Sequence, residues 1–335
     1  MKSLRMRADR SLYFKECPMP SDLAPDDVLI RMAYVVVSGL EVLRYRGKSA
    51  PPKNEELGYN GSGVVVEVGS RVLDLQPGDH VAIRPNSYCG VCDACRSNRP
   101  QFCTNAELTS GLMTEYVAIH QKQIFRLPDE VSLRAGSQIN TLMIAMEALG
   151  KANYTFGQKA IILGCGGVGQ MLLKLAQKCP YAQIVVMDPH AEKRQKALLY
   201  GADHALDSSH ELAISDALML TDGAGYDAVF EVSGNTNSAQ TALNLVARGG
   251  TVVYTGLYGM SFDLKVNLMN MYVKNYSIQA TPIPSASYLD AIMMARQLNL
   301  DEIISAVYPF EDAEKAFNEK NSKHLSRVLL EFPRT

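Results

Sequence analysis

The hydrophobic residues in the first third of the chain fall into short runs rich in Val and Ile. DVLIRMAYVVVSG, GSGVVVEVGS and DHVAIRP follow one another between Asp27 and Pro85, separated by Gly, Pro and Asp. Runs of this length and composition, bounded by turn residues, predict β-strands and together a barrel-like β domain. His80 follows the turn residues Pro-Gly-Asp just before a strand, so we interpret it as a turn or packing residue.

After Leu149 the chain alternates between strand-like and helical patterns. The apolar runs KAIILG, QIVVMD, DAVFEVSG and GTVVYTG are separated by helical patterns over residues 170–178, 191–200 and 238–246. Such alternation predicts a parallel, doubly wound sheet, so the fold class is α/β.

The C-terminal segment ends in RVLLEF, a strand-like run that needs a sheet to join. Two helical stretches precede it, at residues 288–298 and 311–319. We expect this segment to return to the first domain. The predicted domains are therefore residues 1–149 with 280–335, and residues 150–279 between them.

Length and composition also indicate a two-domain globular protein. A chain of 335 residues is too long for one ordinary core, and 47% hydrophobic residues is enough to bury two. Its 33 basic and 35 acidic residues are mixed along the sequence, with a formal charge of −2, which argues against a nucleic-acid partner or a polybasic membrane surface. We expect a small-molecule substrate. The N-terminal segment has no apolar stretch of the length that a signal peptide or membrane span requires, which predicts a cytoplasmic protein.

The segment AIILGCGGVGQMLLKLA carries a dinucleotide-binding pattern. A buried strand leads into G-x-G-x-x-G at Gly164, Gly166 and Gly169, and an amphipathic helix follows. Gly164 allows a tight turn, Gly166 lets the backbone approach a pyrophosphate, and Gly169 lets helix and strand pack closely, while the helix N-terminus faces the phosphate charge. A glycine-rich turn without a ligand is the alternative. Cys165 inside the loop is interpreted as a space-filling residue.

Asp188 ends the next predicted strand, 19 residues after Gly169. An acid at this position accepts hydrogen bonds from both ribose hydroxyls and repels a 2′-phosphate, which favours NAD over NADP. Lys193 and Arg194 nearby leave some use of NADP open, and a surface carboxylate at a strand end is the other alternative. The remaining residues that we expect at the cofactor site are Gly167, Val168, Lys193, Ser233, Thr255, Gly256 and Leu257.

Four of the seven cysteines lie in one short loop, YCGVCDACRSNRPQFC. Cys89, Cys92, Cys95 and Cys103 have a spacing that matches a closed tetrahedral zinc site, and in a reducing compartment a tight cluster indicates metal rather than disulfides. Because sulfur fills all four positions, no site remains for water or substrate, so we predict one structural zinc. Chance free thiols are the alternative.

These motifs in this order resemble the medium-chain dehydrogenase/reductase superfamily, and within it the zinc-type alcohol and polyol dehydrogenase branch. The resemblance covers essentially the whole chain and rests on GSGVVVEVGSRV, PGDHV, CGVCDAC, TEYVAI, GCGGVG and the pair DAVFEVSG and RGGTVVYTG. It implies a GroES-like catalytic domain formed by both chain ends, a Rossmann domain between them, and nicotinamide-dependent oxidation or reduction. It also implies a homo-oligomer, dimer or tetramer, that pairs through the edge strand around RGGTVVYTG and NYSIQAT.

The same resemblance exposes departures at the place of the catalytic zinc. Where the family has Cys-Gly-Ser/Thr-Asp this chain reads SGLE at 38–41, and where the family has Gly-His-Glu it reads GYN at 58–60. The usual proton-relay positions hold Leu40 and Leu43. The four zinc-side positions hold Ser38, Tyr59, Asn60 and Asn140. These are poor neutral ligands for Zn²⁺, and the single carboxylate of Glu41 does not hold a metal, so we expect no catalytic zinc.

Without that zinc, the chemistry depends on weaker groups. Tyr59, with a reference pKa near 10, is expected to donate a hydrogen bond or a proton to a developing oxyanion; the alternative is that it only fills the volume of the lost site. Asn60 and Asn140 are candidate hydrogen-bond donors to a substrate oxygen, with simple polar filling as the alternative. Ser38 is a weaker candidate still.

Three hypotheses follow for the function. The first is a zinc-free, NAD(H)-dependent reductase or dehydrogenase acting on an activated substrate such as an enone or iminium. The second is a carbonyl or polyol oxidoreductase that uses Tyr59 as acid and base. The third is a non-catalytic NAD-binding protein, against which the intact phosphate loop and Asp188 count. The expected pocket is lined by Leu40, Leu43, Tyr59 and Asn140, with Tyr88 or Leu257.

Overall fold

The computed structural model describes residues 1–259, 261–281, 287–322 and 325–333. Parts of the predicted C-terminal segment therefore lie outside the described residues, namely 282–286, 323–324 and 334–335.

The chain forms two compact units. The first consists of Met1–Asn140 and Ser287–Thr335, and the second of Thr141–Ala286. Among the helices that are described, none is both long enough and apolar enough to cross a bilayer.

The N-terminal segment is mostly strand. Its strands are β1 (Lys2–Met6), β2 (Leu12–Glu16), β3 (Asp27–Val37), β4 (Gly61–Val68), β5 (His80–Ile83), β6 (Asn86–Ser87), β7 (Glu107–Leu108), β8 (Tyr116–His120) and β9 (Ile124–Arg126). Its helices are α1 (Gly39–Tyr45), α2 (Asp93–Arg96), α3 (Leu133–Gly136) and α4 (Ile139–Lys151).

The second unit alternates strands and helices. Its strands are β10 (Lys159–Leu163), β11 (Gln183–Met187), β12 (His204–Leu206), β13 (Tyr226–Glu231), β14 (Val246–Tyr254) and β15 (Ser277–Ala280). Its helices are α5 (Gly167–Ala176), α6 (Ala191–Leu199), α7 (Ala213–Met219), α8 (Thr236–Leu245) and α9 (Leu268–Lys274). The C-terminal segment then adds α10 (Tyr288–Ala295), β16 (Ala306–Pro309), α11 (Ala313–Ser322) and β17 (Val328–Glu331).

Both chain ends contribute to the main sheet of the first unit. Its strands lie in the order β16-β17-β3-β4-β5-β9, and β8 also pairs with β3. The run RVLLEF contains β17, which pairs antiparallel with β3 as the sequence predicts. Val35 and Val37 of β3 are fully buried in one core with Phe317 of α11 and Leu330 of β17. The predicted GroES-like domain, closed by the C-terminal strand, is thus confirmed.

The second unit has a six-stranded parallel sheet in the order β12-β11-β10-β13-β14-β15. Ile161 and Leu163 of β10, Val185 of β11 and Val229 of β13 are buried in its core. The predicted doubly wound sheet is confirmed. Because all strands run the same way, the segments that follow β10, β11, β13 and β14 emerge at one edge of the sheet, which is where ligands bind in such folds.

The helices differ from the sequence prediction at both ends, by up to three residues. α5 begins inside the glycine-rich loop, because Gly166 is its N-cap. α8 begins at Thr236, because the side chain of Asn235 accepts the backbone N–H groups of Asn237 and Ser238. α7 and α9, each only seven residues long, were not predicted.

Candidate active site

A cluster of polar side chains lies where β3 ends and α1 begins. Ser38 is the N-cap of α1: its Oγ accepts the backbone N–H of Glu41 at 3.3 Å, and the Glu41 carboxylate accepts the N–H of Ser38 at 2.8 Å. This reciprocal pair is a capping box, which fixes the orientation of both side chains. The sequence analysis missed it, although the S-x-x-E spacing is its signature.

The carboxylate of Glu41 is fully buried and is bound by the backbone on both sides. Its second oxygen accepts the N–H of Gly58 at 2.6 Å, which ties α1 to the segment before β4. Gly58 has φ of +87°, and a Cβ there would lie 2.7 Å from the backbone nitrogen of Met113, so only glycine fits. Burial raises the pKa of Glu41, while hydrogen bonds from Ser38 and Gly58 oppose that rise. Glu41 therefore serves as a structural anchor for the cluster.

Tyr59 lies beside Ser38 and keeps its proton at neutral pH. Desolvation, with a smaller contribution from the Glu41 carboxylate, raises the pKa of the Tyr59 phenol to about 12. A hydrogen bond with the Ser38 side chain and the charges of Arg327 and Arg44 act in the opposite direction. A neutral phenol can donate a hydrogen bond or a proton to an oxyanion. This is the protonation state that the predicted donor role needs.

The two asparagines of the predicted site are in different settings. Asn60 is buried, its carbonyl oxygen accepts the N–H of Val36 at 2.9 Å, and its side-chain Oδ1 has no hydrogen-bond partner in the described part of the chain. Asn140 is half-buried in the first turn of α4. No hydrogen bond between described residues joins it to Ser38, Tyr59 or Asn60. The structure thus brings Ser38 and Tyr59 into contact and places Asn60 next in the chain, whereas no hydrogen bond among the described residues links Asn140 to them.

Arg327 belongs to the same cluster, and the sequence analysis missed it. It directly precedes β17, whose first residue Val328 pairs with Val37, the residue before Ser38. Arg327 exposes only 5% of its surface, and its Nε is buried without a hydrogen-bond partner among the described residues. Desolvation lowers its pKa to about 10, and the Tyr59 phenol acts to raise it. The only sequence signal was a charged residue at the start of the apolar run RVLLEF.

The cysteine loop brings four possible metal ligands together. Within the described residues, one group of three or more His, Cys, Asp or Glu side chains has donor atoms close enough to share an ion. It contains the four cysteines predicted from the spacing, Cys89, Cys92, Cys95 and Cys103, with sulfur atoms all within 4.8 Å of one another. Near Tyr59 the available donors are hydroxyl, phenol and amide groups, which do not fit zinc.

The sulfur geometry of the loop suits a tetrahedral zinc. The Sγ atoms of Cys89 and Cys103 are 3.6 Å apart, close to the spacing of about 3.8 Å that a Zn–S bond of ~2.3 Å gives in a tetrahedron. Backbone N–H groups of Val91 and Cys92 lower the pKa of the Cys89 thiol, whereas burial raises the pKa of the Cys95 thiol to about 12, so the two differ in how readily they form the thiolate that binds metal. With four sulfur ligands, the residues present fit a closed structural site.

The glycine-rich loop connects β10 to α5. Gly164 has φ of +105°, and a Cβ there would lie 2.8 Å from the Cβ of Ser233. A Cβ on Gly169 would lie 2.0 Å from the Gly164 carbonyl oxygen, so these two positions need glycine for close packing. A Cβ on Gly166 would meet nothing within 4 Å, which leaves open space in front of the backbone where a pyrophosphate is expected. The first turn of α5 contains the other two predicted loop residues, Gly167 and Val168.

Asp188 directly follows β11 and is almost fully buried. Its Oδ2 accepts the N–H of Cys165 at 2.8 Å, and its Oδ1 accepts the N–H of His190 at 3.0 Å and lies 3.0 Å from that ring's Nδ1. Lys193 Nζ lies 4.0 Å from Oδ2, and Arg194 donates to the main-chain oxygen of Asp188 at 2.9 Å. Asp188 thus ties the glycine-rich loop to the end of β11.

The other predicted cofactor residues follow β13 and β14 and meet at a residue that the sequence analysis missed. Glu231 is a buried carboxylate whose Oε1 accepts the N–H of Ser233 at 3.0 Å. Its main-chain oxygen accepts the N–H groups of Thr255 at 2.8 Å and Gly256 at 3.2 Å. Burial raises the pKa of Glu231. Leu257, the next residue along, exposes 59% of its surface.

Comparisons with known proteins agree with this arrangement. A family profile described as alcohol dehydrogenase GroES-like domain matches residues 24–129, and one described as zinc-binding dehydrogenase matches residues 167–299. The zinc-type alcohol dehydrogenase-like protein YdjJ of Escherichia coli K12 is 29% identical over 330 residues, which cover 94% of this chain and 93% of that protein. D-xylulose reductase A of Aspergillus niger is 26% identical over 322 residues, covering 91% and 89%.

A solved structure of a related protein has the same fold over nearly the whole chain. A zinc-binding dehydrogenase (gutB) from Clostridium scindens is 28% identical, with a TM-score of 0.90 and 98% of each chain covered. The two profiles between them account for most of the GroES-like and Rossmann regions, in the order expected. The chain therefore belongs to the medium-chain dehydrogenase/reductase superfamily, in its zinc-type alcohol and polyol dehydrogenase branch.

Proposed function

We propose that this protein catalyses NAD(H)-dependent hydride transfer without a catalytic zinc, to or from a substrate that is already electrophilic, such as an enone or an iminium. One observation carries the proposal. The place where the family holds its catalytic zinc contains a neutral phenol, Tyr59, beside the hydroxyl of Ser38 and the amide of Asn60. Among the described residues, no group of three or more His, Cys, Asp or Glu side chains forms there, and the carboxylate of Glu41 is bound to backbone N–H groups.

The free energy by which this cluster can stabilise an oxyanion determines which substrates it could reduce. A zinc ion that takes bound water from a pKa of about 15.7 to about 7 stabilises the anion by roughly 12 kcal/mol, at ~1.4 kcal/mol per unit. A single oxyanion donor is worth about 3–4 kcal/mol. Tyr59 therefore supplies about a third of what zinc supplies. A simple alcohol would lack the remainder, whereas a conjugated or iminium substrate needs much less.

In the reductive direction, a reduced nicotinamide would supply the hydride when bound, and the protein would stabilise the charge that results. With an enone, the new C–H bond forms at the β-carbon and the displaced π-electron pair appears as an enolate oxyanion. The phenol of Tyr59 donates a hydrogen bond or its proton to that oxygen. With an iminium, the hydride itself neutralises the positive charge, so Tyr59 has only to orient the substrate.

The remaining residues in the proposal bind the cofactor or the structural zinc and take no part in proton transfer. The backbone around Gly166 and the N-terminus of α5 would hold the pyrophosphate, and Asp188 would hold the adenosine ribose. The four-cysteine loop would hold one zinc that shapes its own segment and takes no part in the hydride transfer, since sulfur fills every coordination position.

The test is a substrate panel combined with metal analysis. NADH consumption is measured against enones, iminium compounds, ketones and sugars, with zinc quantified in the same preparation. We expect turnover of an enone or iminium and none of simple alcohols, with one zinc per chain. Turnover of simple alcohols by a preparation holding two zincs per chain would overturn the proposal. Tight NADH binding without turnover of any compound would favour the third hypothesis, a non-catalytic NAD-binding protein.

The second candidate function is a zinc-independent carbonyl or polyol oxidoreductase that uses Tyr59 as acid and base. The names of relatives such as D-xylulose reductase A of Aspergillus niger favour it. Alcohol oxidation would require the phenolate, and with a pKa of about 12 that form is scarce at neutral pH. In the panel, this function predicts ketone or ketose reduction faster than enone reduction, and alcohol oxidation that increases steadily as pH rises toward 12.

The chain should bind NADH more tightly than NADPH, because Asp188 would face the 2′-phosphate. We expect the Kd for NADPH to exceed the Kd for NADH by about tenfold or more. Asp188→Ala should reduce this ratio, because it removes a negative charge whose repulsion of the 2′-phosphate costs ~1 kcal/mol or more. Fluorescence titration of both cofactors measures this. Asp188→Asn is the matched control, because it keeps the shape and removes the charge. Equal affinities in the unmutated protein would show that Lys193 and Arg194 outweigh the carboxylate.

An exposed apolar surface marks the region where we propose that subunits associate. β15 is an outer strand of the parallel sheet, and α9 precedes it directly along the chain. α9 has no buried residue, and four of its side chains are large, apolar and more than half exposed: Leu268, Met269, Tyr272 and Val273. An outer strand beside such a surface suits pairing with a second copy of the chain.

We expect a dimer or tetramer in solution and dissociation toward the single chain in Tyr272→Asp, because the substitution places a charge in a surface that association would bury. Sedimentation or light scattering over a range of concentrations measures the mass. Leu73→Asp is the control, since Leu73 is 92% exposed in the other unit. A mass equal to one chain at all concentrations in the unmutated protein would refute this interface.

A further inference from the structure

Among the residues that the structure describes, Arg327 is a buried cation without an anionic partner. Its guanidinium is almost inaccessible, its Nε has no partner, and it forms no ion pair with a described Asp or Glu. The Tyr59 phenol is the one titratable group among the described residues that acts on its pKa. A buried charge left without compensation is costly, so its position is informative about where negative charge develops.

The backbone places Arg327 at the same end of the sheet as Tyr59. Val328 pairs with Val37, so Arg327 comes just before β17 at the level where Ser38 follows β3. On the other side of β3, the N–H of Val36 donates to the carbonyl oxygen of Asn60, the residue after Tyr59. Three neighbouring chain segments, spaced by about 4.8 Å, thus bring the guanidinium, the Ser38 hydroxyl and the phenol to one place.

The position of Arg327 is fixed by the backbone. Its carbonyl oxygen accepts the N–H groups of Ser305 at 2.8 Å and Ala306 at 3.3 Å, and its own N–H donates to Ser305 Oγ at 3.4 Å. These bonds hold the main chain on both sides, so the side chain begins from a fixed point. The side chain is also enclosed, with 5% of the residue exposed, and an enclosed charge needs little reorganisation when a reaction creates an anion beside it.

We propose that Arg327 is a positioning residue for the reaction, holding a fixed positive charge that stabilises the phenolate left when Tyr59 gives its proton to the substrate oxygen. This inference rests on the proposed function. In the step, the hydride and its electron pair form the new C–H bond, and the reduced nicotinamide is oxidised. The Tyr59 O–H bond breaks, its proton forms the product O–H bond, and the phenolate keeps the electron pair until water returns a proton.

Among the charged groups that act on the Tyr59 phenol, none stabilises a phenolate as strongly as Arg327 does. The negative charge of Glu41 disfavours the phenolate, and its carboxylate accepts hydrogen bonds from the backbone N–H groups of Ser38 and Gly58. Arg44 also favours the phenolate, but it has the smallest influence of the groups around the phenol. Ser38 contributes a hydrogen bond and no charge. Arg327 is therefore the main cationic support for an anion at Tyr59.

The first test needs no substrate. A fluorinated tyrosine is incorporated at position 59, which makes the phenol more acidic and brings its titration into an accessible pH range, and its absorbance is followed against pH. Arg327→Gln should raise the phenol pKa by about one to two units, as expected for loss of one charge at an effective dielectric of ~20. Arg327→Lys should change it little, and Arg44→Gln should change it less than Arg327→Gln. An unchanged phenol pKa in Arg327→Gln would overturn the proposal.

The second test is a double-mutant cycle with the substrate found in the panel. Arg327→Gln should lower kcat by about 10–100-fold when Tyr59 is present, and by less than about threefold in Tyr59→Phe. An equal loss in both backgrounds, together with weaker NADH binding, would assign the guanidinium to the cofactor and overturn the proposal. If Tyr59→Phe itself is fully active, the catalytic role of Tyr59 fails, and the titration still decides whether Arg327 acts on the phenol.

Discussion

Replacement of Cys92 by serine should remove the zinc and damage folding more than chemistry. One of four thiolates is lost from a site whose sulfur atoms lie within 4.8 Å of one another, and a hydroxyl is a poor substitute ligand. Structural zinc contributes its binding free energy to folding, on the order of 10 kcal/mol in small domains. We expect zinc content to fall from one per chain to nearly none, and a decrease in Tm of at least about 5 °C, since ~1 kcal/mol shifts Tm by about 2–4 °C in domains of this size.

The measurements are elemental analysis, thermal unfolding and limited proteolysis of the loop around the four cysteines. Cys17→Ser is the matched control, because Cys17 is a partly buried cysteine outside the cluster and should keep both zinc and Tm. Folded Cys92→Ser protein should retain turnover per correctly folded chain. Full zinc content in Cys92→Ser would contradict the ligand assignment.

The architecture could be predicted because it depends on local patterns that repeat. Val-rich runs, the G-x-G-x-x-G loop after a strand, and the spacing of four cysteines each specify a structure within about 20 residues. The strand at the C-terminus could also be assigned, because RVLLEF is too apolar to remain unpaired, and it pairs with β3. The short helix α9 was missed because most of its apolar side chains are exposed and only Met271 packs on the core, so it lacks the period of a helix that buries one face.

The candidate site was harder to predict, because its members are far apart in the sequence. The S-x-x-E signal at Ser38 and Glu41 was present, and reading it would have shown that Glu41 caps a helix. Nothing local links Arg327 to Tyr59; the register of β17 on β3 brings them together. The family resemblance identified which positions had changed, and the structure adds the burial and charge that give those changes a chemical meaning.

Replacement of Tyr59 by phenylalanine should lower kcat by about 10²–10³ while leaving cofactor affinity and fold intact. The phenol is the proposed proton donor of the cluster, and loss of one oxyanion donor has this usual effect. Tyr45→Phe is the matched control, since it removes a phenol that bonds to Asn318 at 2.9 Å, outside the candidate site. That variant should retain activity within about twofold.

The size of the Tyr59→Phe effect also separates the substrate classes. If the substrate is an iminium, the hydride neutralises its charge, and the loss should be smaller than for an enone, whose oxyanion needs the phenol. Tyr59→His should not restore alcohol oxidation, because Ser38, Asn60 and Asn140 would still give a metal neither thiolate nor carboxylate. Turnover of the true substrate by Tyr59→Phe at the unmutated rate would mean that Tyr59 only fills space, and that hydride transfer depends on the electrophilicity of the substrate itself.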